Sequence, residues 1–122
     1  MRALLLVDLQ NDFLPGGALA VPDGDAVIPV ANRLIPSHEI IIASQDWHPV
    51  DHGSFVTEHP GHVVGDTVEL SGQTQVLWPV HCVQESHGAA FGGNLISERI
   101  THIIPKGTDR NIDSYSAFFD NG

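Results

Sequence analysis

Three short apolar runs punctuate the chain: Ala3 to Val7 ("ALLLV"), Glu39 to Ala43 ("EIIIA") and Ile100 to Ile104 ("ITHII"). The first two are continuous rather than alternating, the pattern of strands covered on both faces in a parallel sheet. Between them, "PDGDAVIPVANRLI" puts Ala26, Val27, Val30, Ala31, Leu34 and Ile35 on one side of a helix, with Asp25 as its cap and Pro29 close to the first turn. Strand, helix, strand is a βαβ unit, so the pattern predicts an α/β fold, a parallel sheet flanked by helices. A shorter second helix is expected over Ala89 to Arg99, ahead of the third strand. From Pro49 to Gln75 the periodicity lapses while Gly and His accumulate. Loops of that length in compact domains tend to be functional or disordered, and the His content argues for function.

In open parallel sheets, ligands bind beyond the carboxyl ends of the strands. The first run leaves into Asp8, the second into "SQDWH" and the third into Pro105-Lys106. Three parallel neighbours would therefore bring Asp8, the Asp46/His48 pair and Lys106 to one edge. A carboxylate at the end of a buried strand needs a nearby cation, and Lys106 can be that cation. Held in this way, Asp8 could take a proton as a general base. The plain alternative is a structural ion pair at the rim of the sheet.

Asp46 and His48 are two apart on an extended segment, so both side chains can point to one side. With a third His they would form the two-His-one-carboxylate set that suits Zn²⁺ or Fe²⁺ and leaves positions open. Spacing leaves His52, His59, His62 and His81 all eligible as that third ligand, while His38, His87 and His102 are assigned no role. Phe13, Trp47, Trp78 and Tyr115 flank these polar groups. Read as core, each needs no further account; read together, they offer a flat slot for a small aromatic ligand.

Composition narrows the classes. The 122 residues carry 5 Lys and Arg against 15 Asp and Glu, a formal charge of −10, which excludes the basic footprint that nucleic acid requires. At 42% hydrophobic the chain is ordinary globular material of a length for one domain. A single cysteine, Cys82, permits no internal disulfide and fits a reducing cytoplasm. The opening "MRALLLVDLQ" is too short in apolar residues for a secretion signal, and no run approaches the ~18 residues of a membrane span.

Four ordered blocks, "LLLVDLQNDFLPGGALAVPDGD", "IIASQDWHPVDHGSF", "LWPVHCVQ" and "KGTDRNIDSYSAFFDNG", resemble the signature blocks of nicotinamidases, also called pyrazinamidases, within the isochorismatase-like cysteine hydrolases. The resemblance implies hydrolysis of nicotinamide to nicotinate and ammonia in NAD salvage, with pyrazinamide as a further substrate. It also implies one divalent metal ion, Zn²⁺ first with Fe or Mn as alternatives, in a cytoplasmic enzyme. By motif, Asp8 would be the base and Lys106 the lysine of an Asp-Lys-Cys triad. Asp46, His48 and His81 would be the metal ligands. Some members carry a further ligand His at the position of Ser54, which here would act through a water. Phe13, Trp78 and Tyr115 would line the ring pocket. The implied partner is a small aromatic amide, with no nucleic acid and no membrane; homo-oligomerisation stays open.

The chain departs from the family in one respect that bears on chemistry. The family's nucleophilic cysteine lies beyond the lysine block, after a further strand, and Cys82 matches instead the cysteine beside the metal-binding His. The expectation is a single isochorismatase-like domain over 1–122, in its N-terminal portion only, without the C-terminal strands. The competing expectation is a catalytically inactive fragment or pseudoenzyme that binds metal and an aromatic ligand. A non-haem iron oxygenase on the same ligand set is a third, weakened by the buried strands and the Asp8/Lys106 pair.

Overall fold

A computed structural model describes residues 2–119; Met1 and the last three residues of the "KGTDRNIDSYSAFFDNG" block lie outside the described residues. Three strands, β1 (Ala3–Val7), β2 (Ile40–Asp46) and β5 (His102–Lys106), form one parallel sheet in the order β1-β2-β5. The register pairs Leu6 with Ala43 and Asp46 with Lys106. One α-helix, α1 (Val27–Leu34), connects β1 to β2 and packs on the sheet. The α/β architecture expected from the apolar runs is therefore present, although β2 and β5 each extend past the run that announced them. Asp46 and Lys106 are the last residues of their strands rather than the first residues outside them.

Helix α1 buries only part of the face expected: Ala31 and Ile35 are in the core, while Ala26, Val27, Val30 and Leu34 are not. Ile28, Ala31 and Ile35, at helical spacing, are buried against Leu6, Ile41 and Ala43. Val27, Val30 and Leu34 form a second apolar stripe at the same spacing and stay exposed. Two neighbouring stripes fit the 3.6 period equally, and only the position of the sheet selects between them. Asp25 does not cap this helix. It lies in a 3-10 turn over Gly24–Ala26 that leads straight into α1, where Ala26 is the N-cap. The opposite face of the sheet, expected to be covered, exposes Leu5, Val7 and Ile104.

Two further expectations are corrected. Residues 89–99 form turns that end in a 3-10 turn over Ser97–Arg99, not a helix. The stretch from Pro49 to Gln75 contains regular structure: β3 (Thr67–Leu70) and β4 (Gln73–Val76) pair as an antiparallel hairpin. Its two-residue turn is Ser71-Gly72, both at positive φ, as a hairpin turn of that length demands. The alternation in "TVELSGQTQV" is broken by polar residues on both strands, which hides the hairpin from a hydrophobic scan. Among the described residues no helix is long and apolar enough to cross a membrane.

The core is small, so each member counts. Ile41 is fully buried on the central strand between β1 and β5. Replacing Ile41 with Ala should cost about 2 to 5 kcal/mol in chemical denaturation, as cavity-forming changes of this size do; a loss under about 1 kcal/mol would contradict this packing.

Candidate active site and metal centre

The three strands deliver their final residues to one edge, as anticipated, and there a cation meets two carboxylates. Lys106 Nζ lies 3.0 Å from Asp8 Oδ2 and makes a short hydrogen-bonded ion pair with Asp46 Oδ1; it also donates to the carbonyl of Ser114 at 3.1 Å. Burial alone would lower the affinity of Lys106 for its proton. The charges of Asp46 and Asp8 outweigh it and hold the lysine above its ordinary value. Asp46 is likewise pulled up by burial, but His48 and Lys106 carry it below the usual carboxylate range.

Asp8 leaves β1 in the left-handed region, at φ 53. A non-glycine residue stays there only when its surroundings hold it. The holding is visible: the Ser44 hydroxyl donates to Asp8 Oδ1 at 2.7 Å, and the Asp8 N–H donates to the Ser44 carbonyl. Asp8 and Phe13 then open together onto an apolar cleft of about 650 Å³, whose walls include Val21 and Val27.

Beyond Asp46 lie two imidazoles. The Nε2 atoms of His48 and His81 stand 3.5 and 3.8 Å from Asp46 Oδ2. Both rings are fixed from behind: His48 Nδ1 donates to the Gly107 carbonyl at 2.7 Å and His81 Nδ1 to the Pro79 carbonyl at 2.8 Å. With Nδ1 protonated, Nε2 is the nitrogen left to bind, the usual arrangement of a metal-ligating histidine. Ligands on a tetrahedral zinc with bonds of ~2 Å sit roughly 3.3 Å apart, close to the spacings here. His48 Nε2 is buried with no hydrogen-bond partner. An orphaned buried nitrogen converging with a carboxylate and a second imidazole fits a divalent cation.

The rest of the machinery is backbone. Gly107 follows Lys106 at φ +64, and a Cβ there would overlap the His48 ring, so only glycine delivers this carbonyl. Phe55 lies under both imidazoles, with ring centroids 5.5 and 5.4 Å away. Burial lowers the pKa of His81. Burial lowers that of His48 as well, but the neighbouring Asp46 carboxylate more than restores it, so His48 keeps its proton to higher pH than a free imidazole.

A second buried group, His48, His52 and Asp113, also has ligand atoms close together. It fits a cation less well, because the ligand atoms of His52 and Asp113 are already engaged. His52 Nε2 donates to the Ile112 carbonyl and Nδ1 takes the Ser54 hydroxyl at 2.8 Å; Asp113 receives Gln75 Nε2 and the Ser114 N–H. Of the histidines left eligible by spacing, the structure brings His81 beside Asp46. His59 bonds the Gly53 carbonyl and His62 pairs with Asp66, both away from the cluster. Ser54 is buried against His52. Phe13 approaches the His81 ring at 5.9 Å, while Trp78 Nε1 donates to the Tyr115 hydroxyl at 3.2 Å. Cys82 is fully buried, its Sγ 3.9 Å from the Gly88 carbonyl, and burial among acidic groups pushes its thiol far up. Such a thiol is no nucleophile.

Sequence reasoning missed Gln10. Its side chain is fully buried, donates to the carbonyls of Asp46 and Ala89 at 2.8 Å each, and accepts the Asp46 N–H at 2.8 Å. It pins the backbone of Asp46 on both sides, and only its place between Asp8 and Asp12 hinted at a role.

No family model matches the chain. Three comparisons place it nonetheless. It is 54% identical to the nicotinamidase of Escherichia coli K12 over 125 residues, covering 99% of this chain and 58% of that protein. An Acinetobacter baumannii nicotinamidase/pyrazinamidase structure superposes with a TM-score of 0.91 at 48% identity, over 97% of this chain and 57% of that one. A pyrazinamidase of Pyrococcus horikoshii solved in complex with zinc gives a TM-score of 0.71 at 40% identity, over 95% and 57%. The chain thus spans a little under three-fifths of the length of each.

Gln10→Ala would strip the Asp46 N–H and the Asp46 carbonyl of their Gln10 bonds and leave the Ala89 carbonyl to Gln45 alone. The expected loss is about 3 kcal/mol by denaturant titration, since each orphaned buried group costs roughly 1–3 kcal/mol; wild-type stability would show that Asp46 is held by other means.

Proposed function

The chain belongs to the nicotinamidase/pyrazinamidase family of isochorismatase-like hydrolases, and from that premise we propose that it carries the base, lysine and metal site of a cytoplasmic amidohydrolase that converts nicotinamide to nicotinate and ammonia. The observation that supports this best is the unbroken run of contacts from Asp8 through Lys106 to Asp46 and on to the Nε2 atoms of His48 and His81. We read the 122 residues as the N-terminal portion of one domain, with the nucleophilic thiol supplied by chain beyond them, because the buried Cys82 cannot serve.

In this reading Asp8 accepts the proton of the nucleophile and later returns it to the leaving ammonia. Lys106 stays charged throughout and stabilises the carboxylate forms of Asp8 and Asp46. Asp46, His48 and His81 hold the metal, with zinc favoured by the two-imidazole, one-carboxylate set. When bound, the ion would supply a Lewis acid for a water or for the pyridine nitrogen of the substrate. Ser54 gives its hydroxyl proton to His52 and keeps lone pairs for a water. Phe13, Trp78 and Tyr115 form walls for the flat ring, with pyrazinamide accepted alongside nicotinamide. Self-association into a homo-oligomer is compatible with this site and is not required by it.

A second reading follows from the buried Cys82: the 122 residues alone bind metal and pyridine without turnover. Ammonia release separates the two. A protein extended past Gly122 should liberate ammonia from nicotinamide, and the 122-residue chain should not; turnover by the short chain would remove the assignment of the thiol to later sequence. In the extended protein Asp8→Asn should slow turnover by about 10² to 10⁴-fold, the usual worth of a general base, and an unchanged rate would take the base from Asp8.

Metal binding carries a pH signature. His48 holds its proton above the ordinary imidazole value, so a cation must displace that proton to bind. Zinc affinity should therefore rise with pH across neutrality, and calorimetric enthalpies should differ between buffers of different ionisation heat. Equal enthalpies in all buffers would show that no proton leaves.

A further inference from the structure

We propose that Asp12 is a positioning residue of the metal cluster: its carboxylate, acting through the backbone of Cys82, sets where His81 stands relative to His48. The proposal rests on the reading of Asp46, His48 and His81 as metal ligands.

Cys82 follows His81 directly and lies in the left-handed region, at φ 48. A residue with a Cβ remains in that conformation only under external restraint. Both polar atoms of its backbone are restrained. Its N–H donates to Asp12 Oδ2 at 2.7 Å, a charge-assisted bond across 70 positions of sequence. Its carbonyl accepts the His48 N–H at 3.0 Å. The ladder continues one step further, where Gln84 N–H donates to the His48 carbonyl at 2.8 Å. Cys82 is thus the splice between the segment that bears His48 and the segment that bears His81, and Asp12 is the anchor that keeps the splice in its strained form. The contribution of Cys82 is its backbone, since its thiol is buried and faces the Gly88 carbonyl.

The anchor is itself built into place. Asp12 N–H donates to the Gly88 carbonyl at 3.0 Å, and Asp12 Oδ1 accepts the Ala18 N–H at 3.1 Å. A Cβ on Gly88 would overlap the Asp12 carboxylate, so the glycine leaves the space the carboxylate occupies. Asp12 touches none of the three ligand atoms in this arrangement. Without it, Cys82 is free to relax to an ordinary backbone conformation, and His81 turns with it.

The bond to Ala18 offers a competing, purely structural role, in which Asp12 only braces the turn around residues 14–19. Metal affinity and ligand geometry separate the two roles, because the bond to Ala18 leaves the Cys82 backbone untouched, whereas the bond to the Cys82 N–H holds the residue next to His81. The experiment compares wild type, Asp12→Ala, Asp12→Asn and Gly88→Ala in the full-length protein. It reads zinc affinity by chelator competition, the visible absorption of the cobalt-substituted site, and thermal unfolding of the metal-free form. Asp12→Ala and Gly88→Ala should each weaken zinc by about 10- to 100-fold, the usual effect of disturbing groups behind the ligands, and alter the cobalt spectrum. Asp12→Asn keeps one acceptor for the Cys82 N–H and should recover most of the affinity and the wild-type spectrum. Wild-type zinc affinity and spectrum in a folded Asp12→Ala protein, even one of lower stability, would overturn the proposal. Should that variant fail to fold, Gly88→Ala decides by the same readout, and wild-type values there would overturn it equally. Absence of zinc binding by the wild-type protein would instead remove the metal reading on which the proposal stands.

Discussion

One buried ammonium organises this molecule. Lys106 ends β5, Asp46 ends the neighbouring β2, and Asp8 follows β1 on the far side of β2. Two carboxylates brought this close would repel, and each would resist burial; the lysine between them makes the arrangement tolerable. Removing one member of such a buried set strands a charge, which costs about 3–5 kcal/mol. The parallel register that pairs Asp46 with Lys106 is therefore bound up with the chemistry of the strand ends.

Asp46 also divides its two oxygens between two tasks. Oδ1 faces the lysine and Oδ2 faces the imidazoles of His48 and His81. The proton-handling pair and the metal-binding group thus share a carboxylate, and its orientation matters to both. That orientation is enforced by neutral groups: the Gln10 amide on the Asp46 backbone, and the Gly107 carbonyl behind His48. Strained backbone at Asp8 and Cys82, one beside each half of the site, is held by the same kind of bonding.

Legibility in the sequence varied with the kind of information needed. The three strands announced themselves by their apolar runs, although β1 and β5 leave much of that apolar surface exposed, and their exits pointed to Asp8, Asp46 and Lys106 because parallel strands finish at one edge. The helix was visible but its facing only in part, since two apolar stripes satisfied the same period and only the sheet could choose. The β3–β4 hairpin went unseen because its polar strands pair with each other instead of filling the core. The segment expected to be helical at 89–99 lends its backbone elsewhere: the Ala89 carbonyl to Gln10 and Gln45, and the Ala90 carbonyl to Asn11.

By itself, then, the sequence determined the chemistry on offer: an acid at the end of each of two strands, a lysine at the end of a third, a histidine-rich middle, and one cysteine. Residue type and order along a strand suffice for that, because strand direction fixes which end meets the solvent. Spacing left the third histidine open and only the motif resemblance pointed to His81; tertiary structure decided which nitrogen it turns forward and which silent residues hold it there. Those choices depend on backbone donors and acceptors from segments tens of residues apart, and a hydrogen bond between distant segments leaves no period and no spacing in the chain that makes it.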